Sequence, residues 1–130
     1  MIRKLGLLLA VAAITAFITI PRAQACETFT PGYWKNHSNW PVGGMFLGAV
    51  WYDETAAMGI LNTPPRGDAT IILEQQLIAA KLSWYAGQPP SELEPLIQQA
   101  DAWLTNPTDR STAITIASQI AAILELYDVN

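Results

Sequence analysis

The segment from Asp68 to Gly87 constrains the fold most, because its apolar residues cover two faces of a helix. At about 100° per residue, four side chains share one face: Ile71, Ile78, Leu82 and Tyr85. Four more share the nearly opposite face: Leu73, Leu77, Ala80 and Trp84. A helix that is apolar on two sides is buried on two sides. We therefore predict a central helix over residues 68–86, with Asp68 as its N-cap.

Two further helices are predicted after the central one. Residues 91–104 begin with the capping box Ser91-Glu92-Leu93-Glu94 and carry one apolar stripe. Residues 107–127 begin with Pro107, and proline suits a first helical position. Because the connections between these helices are only about four to five residues long, neighbouring helices should run antiparallel. The sequence therefore predicts a mainly α fold based on an antiparallel three-helix bundle.

Three smaller elements are predicted before the bundle. Residues 45–52 form a β-hairpin around Gly48-Ala49, a sequence typical of a type II′ turn. A short helix over residues 54–61 follows, with Asp53 as its N-cap. The preceding residues 28–44 form an ordered aromatic loop with a type II turn at Pro31-Gly32. Because an isolated hairpin is only marginally stable in water, we expect it to pack against the helices.

Residues 1–25 have the three parts of a secretory signal peptide. Arg3 and Lys4 are positive, residues 5–20 are apolar or small, and Ala23-Gln24-Ala25 is a cleavage pattern. The apolar run is shorter than the roughly 20 residues that a membrane span requires. We therefore expect export to a secreted or periplasmic location, with no membrane span after cleavage.

Cleavage would leave Cys26 as the first residue of one helical domain over residues 26–130. A single cysteine cannot form a disulfide within the chain, so Cys26 is a candidate for cross-linking between chains or for lipidation. Lipoprotein signals prefer leucine at the position of Ala23, which favours plain cleavage. One cysteine and one histidine are too few for a zinc site. We expect neither a metal nor a cofactor.

The charge of this predicted mature domain narrows the range of partners. Four Lys and Arg residues stand against eleven Asp and Glu residues, which gives a net charge of −7. Nucleic-acid binding requires a basic surface, so a nucleic-acid partner is excluded. Anionic lipid surfaces are disfavoured for the same reason.

The most distinctive stretch is aromatic and lies just after the predicted cleavage site. Cys26 and Thr28 are followed by Gly32-Tyr33-Trp34-Lys35-Asn36-His37 and then by Trp40-Pro41. These residues resemble a family of small bacterial exported proteins and domains that share a C-x-T-x-T/Q-G-Y-W-K-N-H segment after the leader. The resemblance continues through most of the predicted domain, at residues 47–48, 61–64, 66–69 and 77–82. It implies export and a shared architecture, and it assigns no activity.

Two roles are open for this aromatic stretch. Its rings could stack on a sugar while neighbouring polar groups bond hydroxyls, so the candidate ligand-binding residues are Trp34, Lys35, His37 and Trp40. Alternatively, Tyr33 and Trp34 could cover the open end of the bundle, because large aromatic side chains bury much area in a small domain. A ligand surface would require Trp34 and Trp40 to share one exposed patch.

These observations predict an exported, non-enzymatic binding or surface module, with a glycan or another cell-surface molecule as its ligand. The alternative is a structural subunit that self-assembles as a homo-oligomer or is cross-linked through Cys26. A third possibility is a small hydrolase with His37 as its base. That activity would require a carboxylate and a hydroxyl within hydrogen-bond reach of the imidazole.

Overall fold

The computed structural model describes residues 27–87 and 89–128. In this part the chain is mainly helical, as predicted, with five helices and one two-stranded antiparallel sheet. The elements in chain order are α1 (Pro31–Lys35), β1 (Gly44–Leu47), β2 (Val50–Asp53), α2 (Glu54–Leu61), α3 (Ala69–Ala86), α4 (Leu93–Thr105) and α5 (Arg110–Leu126). The predicted signal peptide and Cys26 lie outside the described residues. No helix within these two ranges is long and apolar enough to cross a membrane.

Helix α3 is the central element. It contacts every other helix and strand β1. Both apolar faces of the sequence pattern contribute buried residues, namely Ile78 and Leu82 from one and Leu73, Leu77 and Ala80 from the other. Ala79 and Ser83, which belong to neither face, are buried as well. Asp68 caps its start, as predicted, with a carboxylate that accepts from the amide of Thr70 at 2.9 Å. Tyr85 differs from the pattern, because it lies in the last turn and is 57% exposed.

The three long helices α3, α4 and α5 contact one another in all three pairs. Helix α4 buries Leu93, Leu96, Ala100 and Trp103. Helix α5 buries Ala113, Ile116, Ala117, Ile120 and Leu124. Each fully buried large aliphatic side chain stabilises the fold by about 1.5–3 kcal/mol relative to an exposed one. This shared core sets the rigid frame on which the smaller elements pack.

Helix α4 begins at Leu93, two residues later than predicted, and the capping box at Ser91 is not formed. Glu92 is the N-cap residue and makes no side-chain cap bond. The amides of Leu93 and Glu94 instead donate to the carbonyls of Pro90 and Ser91, at 3.1 and 3.3 Å. A backbone turn therefore satisfies the amides that the serine hydroxyl was expected to satisfy.

Helix α5 begins at Arg110, not at Pro107, because Asp109 is its N-cap. The Asp109 carboxylate accepts from the hydroxyl of Ser111, from the Thr112 hydroxyl at 2.8 Å and from the Thr112 amide at 3.1 Å. These bonds favour the charged form, the one to Ser111 most, and lower the pKa of Asp109 to about 2.

The hairpin extends one residue further at each end than predicted, with Gly44 opposite Asp53 and Leu47 opposite Val50. Gly48 has a φ of +64° at the first position of the two-residue turn, as a type II′ turn requires. A Cβ at this position would lie only 2.9 Å from Cβ of Leu104. The turn therefore rests directly on α4, and only glycine fits there.

The predicted type II turn at Pro31-Gly32 is wrong, because these residues begin helix α1. Pro31 stands at the start of the helix, where its missing N–H costs no hydrogen bond. The amides of Tyr33 and Trp34 both donate to the carbonyl of Thr30, at 3.1 and 3.3 Å. The predicted aromatic loop is therefore partly helical.

The residues before α1 are anchored to the end of the chain. Thr28 forms a parallel bridge with Asp128, and its amide donates to the carbonyl of Tyr127 at 3.2 Å. The buried hydroxyl of Thr28 donates to the carbonyl of Leu124 at 2.7 Å. These bonds connect residues 27–41, which we call the N-terminal segment, to the last turn of α5.

Candidate functional site

Trp34, the first of the predicted ligand-binding residues, is buried. Only 3% of its surface is exposed, so Trp34 and Trp40 do not form the shared exposed patch that a ligand surface here would require. Its ring packs edge-on against the rings of Phe29 and Tyr33, at centroid distances of 5.6 and 5.0 Å. Its side chain therefore belongs to the core and covers the helices.

Trp40 is partly buried, and its polar edge is used by its own segment. The indole N–H donates to the carbonyls of Trp34 at 3.2 Å and His37 at 2.9 Å. The Trp34 carbonyl belongs to the last turn of α1, where helical carbonyls lack intrahelical partners, and the His37 carbonyl follows just after that turn. Trp40 therefore acts as a cap for α1.

His37 is exposed, but its ring is also held by the segment. It stacks on Tyr33 at a centroid distance of 3.8 Å, and Tyr33 stacks in turn with Phe29 at 4.1 Å. Nδ1 of His37 lies 2.6 Å from the carbonyl oxygen of Tyr33. Because a carbonyl only accepts, Nδ1 carries the proton of this bond. The hydrogen bonds found for His37 stay within the segment, without the carboxylate that a catalytic base would require.

Lys35 is exposed at the end of α1, beside Asn36, whose side-chain amide donates to the carbonyl of Gly32 at 2.9 Å. The four predicted residues are thus neighbours in space but not one surface. Lys35 and His37 face solvent, Trp40 is half-buried and Trp34 is buried. Across residues 27–87 and 89–128, no three His, Asp or Glu side chains come together as metal ligands.

The rings that are open to solvent lie elsewhere, on the hairpin and at the end of α3. Phe46 and Trp51 are each 54% exposed, and Tyr85 is 57% exposed. Phe46 and Trp51 are cross-strand partners whose rings meet at 5.2 Å with an interplanar angle of 71°. Side chains alternate along a strand, so the hairpin buries Met45 and Leu47 on one face and presents the two rings on the other.

Two adjoining cavities open between these rings and the helices, and together we name them the aromatic groove. The larger cavity, of about 570 Å³, lies between the hairpin and α3 and is lined by Phe46, Trp51, Lys81 and Tyr85 with residues 42–45. The smaller cavity, of about 250 Å³, lies between α3 and α4 and is lined by Lys81, Trp84, Tyr85, Glu94, Ile97, Gln98 and Asp101. The residues that line the smaller cavity are spaced three or four positions apart along each helix, so they lie on one face of α3 and one face of α4.

An ion pair joins the three elements around the aromatic groove. Nζ of Lys81 lies 2.8 Å from Oδ2 of Asp101, and it also donates to the carbonyl of Phe46 at 2.6 Å. Oδ1 of Asp101 accepts from the amide of Gly48 at 2.8 Å. The pair therefore fixes the hairpin on α3 and α4, and the two charges cancel within the groove.

Gly44 determines where the Trp51 ring can lie. A Cβ on Gly44 would be 2.6 Å from Cζ2 of Trp51 and 2.6 Å from the carbonyl oxygen of Tyr52. No side chain fits in that space without a shift of its neighbours. The indole of Trp51 therefore packs against the backbone at Gly44, beside the larger cavity.

The aromatic groove is not predicted by the sequence pattern. That pattern places Trp84 and Tyr85 on buried helix faces and Glu94 in a capping box. Strand alternation did contain a signal, because Phe46 and Trp51 fall on the face opposite the buried residues of the hairpin. That these rings meet the end of α3 depends on tertiary packing, which no local pattern specifies.

The aromatic groove and the N-terminal segment are thus the two regions on which a function can be argued. Comparison with known proteins contributes no relative: no protein-family model, no curated protein and no solved structure matches this chain.

Proposed function

We propose that this chain is an exported, non-enzymatic binding module whose ligand is a glycan and whose ligand surface is the aromatic groove. The proposal includes cleavage of the signal peptide, membership of the exported family that the sequence resembles, and an antiparallel three-helix bundle as the scaffold. The supporting observation is that three exposed rings, Phe46, Trp51 and Tyr85, line the larger cavity, and that Tyr85 also lines the smaller one.

The chemistry of the groove suits a sugar. Aromatic faces provide flat apolar surfaces, and the smaller cavity adds an amide from Gln98 and a carboxylate from Glu94. A ligand site generally combines apolar and aromatic walls with a few polar groups that fix orientation. A pyranose ring has the complementary arrangement, with an apolar C–H face and hydroxyls around its edge.

Exposed aromatic rings also have to be explained. Contiguous apolar surface on a soluble domain often marks an interaction site. The rings of the N-terminal segment already pack or form hydrogen bonds within the chain. The rings of the groove have faces that are exposed to solvent. The groove is therefore a better ligand surface than the four residues predicted from sequence.

The decisive experiment is a glycan array with the mature domain, followed by titration of the best glycan. We expect Trp51→Ala and Tyr85→Ala each to weaken binding by about tenfold or more, a loss of about 1.4 kcal/mol or more. Both variants should melt close to the wild-type temperature, because both side chains are more than half exposed. Val50→Ala is the matched control, since Val50 is 55% exposed but pairs with Leu47 on the other face of the hairpin.

Variants at the N-terminal segment test the location of the site. Lys35→Ala and His37→Ala should leave glycan affinity unchanged. A loss of binding in these variants, with full binding in Trp51→Ala, would move the ligand surface back to the segment. Absence of any glycan ligand, together with a dimer on non-reducing gels that Cys26→Ser abolishes, would favour the structural subunit instead.

A further inference from the structure

We infer that the smaller cavity of the aromatic groove recognises an ammonium group, so that the glycan class bound is one of amino sugars with free amines. This inference rests on the proposed glycan-binding function. It is carried by the juxtaposition of Trp84 and Tyr85 on α3 with the carboxylate of Glu94 on α4, which line the same cavity.

The charges of the cavity leave one carboxylate without a counterion. Three charged side chains other than Glu94 could contribute here, and two of them, Lys81 and Asp101, neutralise each other at 2.8 Å. Nζ of Lys81 is further committed to the carbonyl of Phe46. Glu94 is exposed, and no Lys or Arg within the described ranges forms an ion pair with it. The third, Glu92, is also exposed and adds a second negative charge at the same end of α4.

Aromatic rings and a carboxylate attract the same kind of ligand group. A cation over the face of Trp or Tyr is held by the ring quadrupole, and a carboxylate gives it a charge-assisted hydrogen bond. An ammonium placed between the two helices would receive both attractions at once. A hydroxyl or an acetamido group could stack on the rings, but it would gain no such charge interaction.

One feature of the fold opposes a cation at this position. The first turn of α4 carries the positive end of the helix dipole, and Glu94 lies in that turn. Glu92 and Glu94 outweigh this partial charge, because each carries a full negative charge within the same turn. The net charge of −7 on the predicted mature domain also favours a cationic ligand, because it attracts cations to the protein and repels acidic sugars.

A matched pair of ligands tests the inference: a glucosamine trisaccharide and the N-acetylglucosamine trisaccharide of the same linkage. They share the same rings and linkage and differ in N-acetylation, which replaces the charged amine with a neutral amide. We expect the amine form to bind about tenfold more tightly at low salt. Added salt should weaken binding of the amine form alone, because only that form is held by charge.

Glu94→Gln should remove most of the preference for the amine form, because only the attraction to the rings then remains, and it should leave the affinity for the acetylated form unchanged. Glu125→Gln is the matched control, since it removes the same charge from an exposed residue on α5, outside the cavity lining. Glu94→Asp, which keeps the charge on a shorter side chain, should retain part of the preference. Circular dichroism and melting curves confirm that each variant is folded.

Equal affinity for the two trisaccharides, or a preference that Glu94→Gln does not reduce, would overturn the inference. If the acetylated form still bound and Trp51→Ala abolished that binding, the proposed function would stand without the charge preference. Failure of both trisaccharides to bind would also overturn the inference, and the glycan array would then decide the proposed function independently.

Discussion

The N-terminal segment and the aromatic groove both concentrate aromatic residues, but they use them in opposite ways. In the segment, Trp34 is 3% exposed and the indole of Trp40 caps α1. In the groove, Phe46 and Trp51 are each 54% exposed and their rings meet edge-on. An aromatic motif is therefore not in itself a binding surface. What matters is whether the protein already uses the faces and polar edges of its rings.

The largest expected difference between the two regions is in stability. Trp34→Ala should lower the free energy of unfolding by about 3–5 kcal/mol, because it empties a filled core position. Trp51→Ala should change it by only about 0.5 kcal/mol, as is usual at exposed sites. Urea unfolding of both variants provides the measurement. Equal destabilisation by the two substitutions would remove the contrast between the regions.

A second experiment sharpens the comparison by loosening only the groove. Lys81→Met, Asp101→Asn and the double variant form a cycle, from which we expect a coupling energy of about 1–3 kcal/mol, because both side chains are largely buried. Amide exchange should accelerate at Gly48, whose N–H donates to Asp101. Lys35→Met is the control for loss of an exposed cation. Unchanged exchange in the hairpin would show that the ion pair does not hold it.

A third experiment perturbs only the segment. Trp40→Phe keeps a ring of similar character and removes the N–H that donates to the carbonyls of Trp34 and His37. We expect a loss of about 0.5–1.5 kcal/mol in unfolding free energy, the usual net value of one hydrogen-bonding group. Glycan affinity should not change. A variant as stable as the wild type would mean that water replaces the indole cap at no cost.

The smallest expected effect comes from α3, which supports both regions. Burial, and secondarily the charge of Asp68, raises the pKa of Glu74 above its ordinary value of 4.5. The folded state therefore binds this proton more readily than the unfolded state, so ionised Glu74 costs stability at neutral pH. Glu74→Gln should raise the melting temperature at pH 7 by less than the roughly 4–8 °C that 1 kcal/mol gives in a domain of this size.

The pH dependence identifies the cause of that gain. Below pH 4.5, the ordinary value, Glu74 is protonated in both states and the advantage of glutamine should vanish. Differential scanning calorimetry at neutral and acidic pH measures the difference. A gain of equal size at both pH values would assign it to packing and not to charge.

Local patterns predicted the elements whose determinants are themselves local. The caps by Asp53 and Asp68, the II′ turn at Gly48 and the short helix Glu54–Leu61 each depend on a few consecutive residues. The start of α1 was missed because Pro31-Gly32 fits both a type II turn and a helix N-terminus. Burial of the Trp34 ring favours the helix over the turn, because α1 then packs against α2 and α3.

The candidate site was predicted less well, for a related reason. Trp34 and Trp40 are close together in a distinctive motif, but Trp34 is a core residue and Trp40 caps α1. Trp51, Tyr85 and Glu94 are far apart in sequence and meet only through the stacking of the hairpin, α3 and α4. Composition indicated an aromatic surface with polar neighbours, but the fold determines which rings provide it.

The bridge between Thr28 and Asp128 has a practical consequence for engineering. Because these positions are adjacent, a short glycine linker could join them, and new termini could be opened in an exposed connection such as the one after Asn106. Such a circular permutant should refold with its cavities intact. The new ends, after Asn106, could then carry a tag for immobilisation on a sensor chip.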